Sequence, residues 1–195
     1  MTPLVQLARP IRLGRLTSLL RIKGVGVYIH WSVFVIAALM LLGALRRPVM
    51  TIVGIVSYLS VLLIHECGHL IAAQYRGCRV ESIELYPIHG RCCFQRPWSR
   101  FDHCLIAWGG VLAQAAVALP LVIWLVFFGY TRFDAVNAVL AILGAFSLIV
   151  AAYNLLPAGR LDGTVAWGLI PEWINRLRER RKKQRVKRST DWRTY

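Results

Sequence analysis

The residues best equipped to do chemistry are His65-Glu66-Cys67-Gly68-His69, an H-E-x-x-H spacing. On a helix of about 3.6 residues per turn, positions four apart share a face, so both imidazoles can reach one Zn²⁺ ion with the glutamate beside them. Zinc lowers the pKa of a bound water toward about 7, and a neighbouring carboxylate can take its proton, generating hydroxide for attack on a peptide carbonyl.

In a soluble helix such a cluster could be a solvated polar face. Here Tyr58-Leu59-Ser60-Val61-Leu62-Leu63-Ile64 precedes it and Leu70-Ile71-Ala72-Ala73 follows it. Ionisable side chains inside so apolar a run are costly and mark function. Counting along the helix puts His65 about 16 Å and His69 about 10 Å from the boundary marked by Arg76, within a hydrocarbon core of about 30 Å.

Two histidines leave zinc short of a protein ligand. Of the nine acids, Glu81, Glu84, Asp102, Asp134, Glu179 and Asp191 fall in loops or the tail, which leaves Asp162 and Glu172. Asp162 follows a turn in which Pro157 stops a helix and Gly159 and Gly163 permit tight bends. The alternative is that Asp162 caps a helix starting near Thr164. Asn154 can donate a hydrogen bond to a substrate carbonyl or oxyanion, or can join two helices. His30, His89 and His103 are further candidate ligands, expected instead at the interface or in solvent.

The elements that must position these groups are apolar. The chain has 195 residues, 57% hydrophobic and 17% charged, a composition suited to a membrane rather than a soluble core. Four stretches approach the roughly 20 residues needed to span: 27–45, 49–75, 104–130 and 135–157. The fold class expected is an all-α polytopic membrane protein of about four transmembrane helices, with a small β-hairpin over Arg79 to Gln95 between helices two and three. Spans two and four then run in the same direction, so the late end of the histidine motif and Asp162 share a membrane side. Gly109 and Gly110 would let a neighbouring helix approach the third span, which Pro120 would kink.

The formal charge of +15 reads as a topology signal. Arg9, Arg12, Arg15, Arg21 and Lys23 precede the first span, Arg76 to Arg100 supplies the middle loop, and ten basic residues run from Arg176. These segments should face the cytoplasm of a cell membrane, with both termini inside. An Arg-rich, acid-free opening also fits an organelle transit segment. The cluster Arg176 to Arg188 should lie along anionic lipid headgroups, and no nucleic acid is expected as partner, because signatures of base recognition are lacking. Cys67, Cys78, Cys92, Cys93 and Cys104 should be reduced thiols. The division expected is a basic segment 1–26, a membrane-embedded domain 27–174 and a basic tail 175–195 without fixed structure. The apolar piece Thr164 to Ile174 is too short to cross and should lie at the interface.

The histidine motif in a membrane span, joined to Asn154-x-x-Pro157-x-x-x-Leu161-Asp162-Gly163 after a later one, resembles the site-2 protease family of intramembrane zinc metalloproteases. Further likeness lies in Gly26 to Ser32, Ile83 to Gly90 and Ala107 to Gln114. That resemblance implies one Zn²⁺ per chain held by His65, His69 and Asp162, Glu66 as general base and Asn154 as a substrate or transition-state contact. It implies a membrane-protein substrate cleaved in or near a transmembrane helix. The chain departs from the usual pattern at His89-Gly90, where Gly-Gly is common, and at Gly110 and Gln114, where Pro and Asn are common. Two other readings are a prenyl-protein-processing type of peptidase completed by Glu172, and a scaffold with a structural zinc and a lipid- or nucleic-acid-binding tail.

Overall fold

A computed structural model describes residues 16–22, 24–42, 47–87, 89–95, 97–159 and 161–191. Arg9, Arg12, Arg15, Lys23, Arg46, Ile88, Arg96, Arg160 and Arg193, on which parts of the sequence reading rest, lie outside the described residues.

Among the described residues, three helices are long and apolar enough to cross a membrane: α2 (Pro48–Tyr75), α3 (Arg100–Phe128) and α4 (Asp134–Asn154). α1 (Trp31–Leu41) is apolar but only 11 residues long. The first expected span therefore starts later than residue 27, because Val25–His30 is a strand whose alternating Val25, Val27 and Ile29 are buried. That period of two is the strand pattern. His30 then caps α1, its side chain accepting from the Ser32 amide.

Local chemistry sets the other helix ends. Pro48 opens α2, where its missing N–H costs nothing. Ser99 caps α3 by accepting from the Asp102 amide at 3.1 Å. α3 continues through Pro120, and α4 contains a π-helical segment, Leu140–Phe146. Outward residues such as Val126, Phe127 and Phe128 are exposed, as lipid-facing helices require.

The expected hairpin is present as β3 (Val80–Leu85) and β4 (Gly90–Phe94), but it belongs to a four-stranded sheet in the order β1-β2-β3-β4. β1 (Leu16–Ile22) and β2 (Val25–His30) form a second hairpin, and β2 pairs parallel with β3. The sheet covers the late half of α2, with Val27, Ile29, Ile83 and Leu85 packed in one cluster with Leu62 and Leu70. β4 is an edge strand.

After α4, a turn leads through α5 (Gly163–Ala166) to α6 (Leu169–Asp191). The basic tail, expected to lack fixed structure, is helical through Asp191. Its first turns are anchored: Trp173 stacks on Phe101, and Arg176 lies over the same ring at 3.9 Å while donating to Ser99 Oγ. Those apolar and cation–π contacts act where the charge pattern alone predicts nothing.

Candidate metal centre

α2 and α3 meet at glycines. A Cβ at Gly68 would fall on the Gly109 backbone, and one at Gly109 would lie 2.6 Å from the Gly68 carbonyl oxygen. The close approach expected of Gly109 is thus made against the helix that carries His65, Glu66 and His69. One turn along, a Cβ at Gly110 would sit 2.6 Å from His69 Nε2 and 2.7 Å from His65 Nε2. Gly110 leaves the room that the two imidazoles occupy.

Each imidazole is held at its outer nitrogen by α3. His69 Nδ1 donates to the Ile106 carbonyl at 2.8 Å, and His65 Nδ1 donates to Gln114 Oε1 at 2.9 Å. Both Nε2 atoms are left as acceptors pointing inward, 3.0 Å apart. Asp162 Oδ2 completes the cluster, 2.8 Å from His65 Nε2 and 3.2 Å from His69 Nε2. Three acceptors converging on one point require a cation: a proton satisfies two of them, a divalent metal ion all three. The donor set therefore fits zinc, and among the described residues His65, His69 and Asp162 are the one group so placed.

Asp162 reaches this point through the turn after α4. Gly159 adopts a left-handed φ of 57° that a side chain would strain. Trp167 Nε1 donates to the Leu155 carbonyl at 2.7 Å, and Trp108 Nε1 of α3 donates to the Ala166 carbonyl at 3.0 Å. Asp162 does precede α5, yet its side chain makes no capping bond and turns to the histidines instead.

Glu66 is 3% exposed, and its Oε2 has no hydrogen-bond partner among the described residues. A buried carboxylate oxygen without a partner is a signature of function rather than packing. Gly90, at the start of β4, packs directly on the Glu66 carboxyl, where any Cβ would collide with it. The metal cluster, Glu66, Asn154 and β4 residues all line one cavity of about 630 Å³. Asn154 ends α4, and among the described residues its side chain makes no hydrogen bond that would join two helices.

The competing ligands lie outside the three-ligand cluster, although His89 and His103 line the same cavity. His30 bonds Ser32, 2.6 Å away, His89 stacks on Tyr86, and His103 lies against Phe94. Glu172 faces Arg100 at 3.8 Å, outside the cluster. Among the described residues no disulfide joins the five cysteines, and burial pushes the Cys92 thiol far above its ordinary pKa, so it stays a protonated, poor ligand. The sequence reading gave Gln114 no role of its own, and gave Gly110, with Gly109, only the role of letting a neighbouring helix approach. Gln114 carried a usable signal, a polar amide in the middle of an apolar helix. Gly110 signalled close helix packing, but not that the space it leaves is filled by the two imidazoles, which depends on what another helix places against it.

Residues 31–178 match the model of the Peptidase M50B-like family, and the chain belongs to that family. It is 27% identical over 163 residues to "Putative zinc metalloprotease sll0528" of Synechocystis sp. (strain ATCC 27184 / PCC 6803 / Kazusa), a match covering 72% of this chain. The match covers 40% of that curated relative's length. The fold is shared with the site-2 protease from Methanocaldococcus jannaschii, at a TM-score of 0.65 and 22% identity over 80% of this chain and 71% of the other. The resemblance read from the motifs is borne out, and the chain is a multi-pass membrane protein.

Proposed function

We propose that this chain is an intramembrane zinc metalloprotease that hydrolyses peptide bonds in or near transmembrane segments of membrane proteins. The observation that carries the reading is the convergence of His65 Nε2, His69 Nε2 and Asp162 Oδ2 beside Glu66 of a membrane-length helix, a buried residue whose Oε2 has no hydrogen-bond partner among the described residues.

His65, His69 and Asp162 would hold one Zn²⁺ per chain. Zinc bound there supplies a Lewis acid that polarises a peptide carbonyl and acidifies water. Glu66 Oε2 takes the proton of the attacking water and delivers it to the departing amine. Asn154, on the cavity wall, donates its amide N–H to the carbonyl oxygen as negative charge builds there. The cavity is open to side chains of β4, unlike the closed ligand shell of a purely structural zinc.

A transmembrane helix hides its carbonyls in its own hydrogen bonds, so the segment to be cut must open first. β4 is the edge strand of the sheet among the described residues and lines the cavity, which suits it to pair with an unwound strand of substrate. The distribution of basic segments supports an orientation with both termini and the sheet on the cytoplasmic side of a cell membrane. The exposed, basic α6 would then lie against anionic lipid headgroups.

The test is zinc content together with cleavage of a labelled, helix-destabilised transmembrane peptide by purified wild type, Glu66→Gln and Asp162→Ala. The reading expects one zinc per wild-type chain, zinc kept but cleavage lost in Glu66→Gln, and zinc lost in Asp162→Ala. Stoichiometric zinc in Asp162→Ala would overturn the ligand set, and undiminished cleavage by Glu66→Gln would overturn the base.

A further inference from the structure

We propose that Gln114 is a positioning residue for the metal centre, fixing through His65 both the affinity for zinc and the electron density that His65 lends it. The inference rests on the metalloprotease reading above.

Gln114 lies in α3 with no exposed surface, and its Oε1 is 2.9 Å from His65 Nδ1. Its Nε2 has no hydrogen-bond partner among the described residues, so the amide is held by its oxygen alone. A primary amide at this depth is costly unless one of its atoms has a specific task. That task is visible in the geometry. With Oε1 toward the ring, the His65 proton must sit on Nδ1, and the lone pair of Nε2 points at His69 and Asp162. With an ion on Nε2 the ring proton stays on Nδ1, and a flipped amide would then set N–H against N–H.

The two histidines are therefore held by unlike means. His69 leans on the Ile106 carbonyl, a backbone atom that substitution cannot remove. His65 leans on a side chain, which makes Gln114 the adjustable support of the pair. The acceptor is also neutral. Asp162 and Glu66 are already two carboxylates beside a doubly charged ion, and a third at position 114 would leave the dry site with excess negative charge. A neutral amide orients His65 while leaving the ion's electron-withdrawing power intact, whereas a carboxylate in its place would raise the basicity of the ring.

Two variants of nearly equal size separate hydrogen bonding from packing: Gln114→Met removes the acceptor, and Gln114→Glu keeps it and adds charge. Zinc affinity is read by chelator competition and ligand field by the visible spectrum of the cobalt-substituted protein, with wild type and Asp162→Ala alongside. Gln114→Met is expected to bind zinc about 10- to 100-fold more weakly and to move the cobalt bands. Gln114→Glu is expected to bind at least as tightly as wild type while kcat falls and KM holds. Met and Glu variants weakened alike would assign the effect to packing and overturn the proposal. So would Gln114→Met within twofold of wild type with an unchanged cobalt spectrum, while Asp162→Ala loses metal. Wild type binding no zinc would instead sink the metalloprotease reading itself, and the role of Gln114 with it.

Discussion

Between α2 and α3, Gly68 and Gly109 bring two backbones into contact, and both imidazoles nearby have a fixed direction. Along α6, all the side chains from Arg176 to Arg185 are exposed, with seven basic residues against one acid, Glu179. In the first region each atom is specified by its neighbours, so one methyl group matters. In the second, total charge acts through a screened solvent or lipid surface, and no one residue carries the effect. The network joining them is small: Arg76 pairs with Asp102 at the end of α2, and Arg176 donates to Ser99 at the start of α3.

The largest effect expected from breaking this contrast is chemical. Glu66→Gln should lower kcat about 10²- to 10⁴-fold, the usual contribution of a general base, while zinc content stays at the wild-type level. Cleavage rate and metal analysis on the same sample check it.

Next is the helix contact itself. Gly109→Val inserts three carbons where one already meets the Gly68 carbonyl and the Ala72 methyl, and should cost about 1–3 kcal/mol as overpacking. Thermal unfolding in detergent measures this, with zinc retention reporting whether α3 still supports the histidines. Wild-type stability would mean that the two helices can part without consequence.

Gly90→Ala should separate function from folding. The added methyl meets the movable carboxyl end of Glu66 rather than backbone, so the carboxyl is displaced and stability changes by less than about 1 kcal/mol. Cleavage should fall about tenfold with zinc retained. Equal loss of stability and activity would show that β4 acts on folding instead.

The smallest effects belong to α6. Replacing any one of Arg178, Arg181 or Lys183 by Gln should alter stability by less than about 0.5 kcal/mol and activity by less than about twofold. A loss above tenfold from one such change, assayed in nanodiscs containing anionic lipid, would mean that α6 also holds specific contacts.

How much was legible follows the same division. Spans two to four could be read because lipid-facing helices are apolar nearly all round, and the hairpin could be read because the alternation of Val80 to Tyr86 and the turn residues Pro87, His89 and Gly90 are local. The strand at Val25–His30 was absorbed into the first span, since an apolar run preceding an apolar helix has no local boundary to show. The helical form of the tail was likewise hidden, being anchored by Trp173 and Arg176 on Phe101 of a distant element.

The sequence by itself determined the chemistry on offer: two imidazoles and a carboxylate at helical spacing inside an apolar run, with an aspartate behind a Pro and Gly turn. Residue type and short-range spacing suffice for that, because a helix fixes which neighbours share a face. Only the tertiary structure decided that Asp162 joins the histidines rather than capping α5, that Gln114 and the Ile106 carbonyl set the direction of both rings, and that Gly90 and Gly110 clear the space around the reacting groups. Those outcomes depend on which atoms of distant segments come within bonding distance, and close packing settles that only once the whole chain is folded.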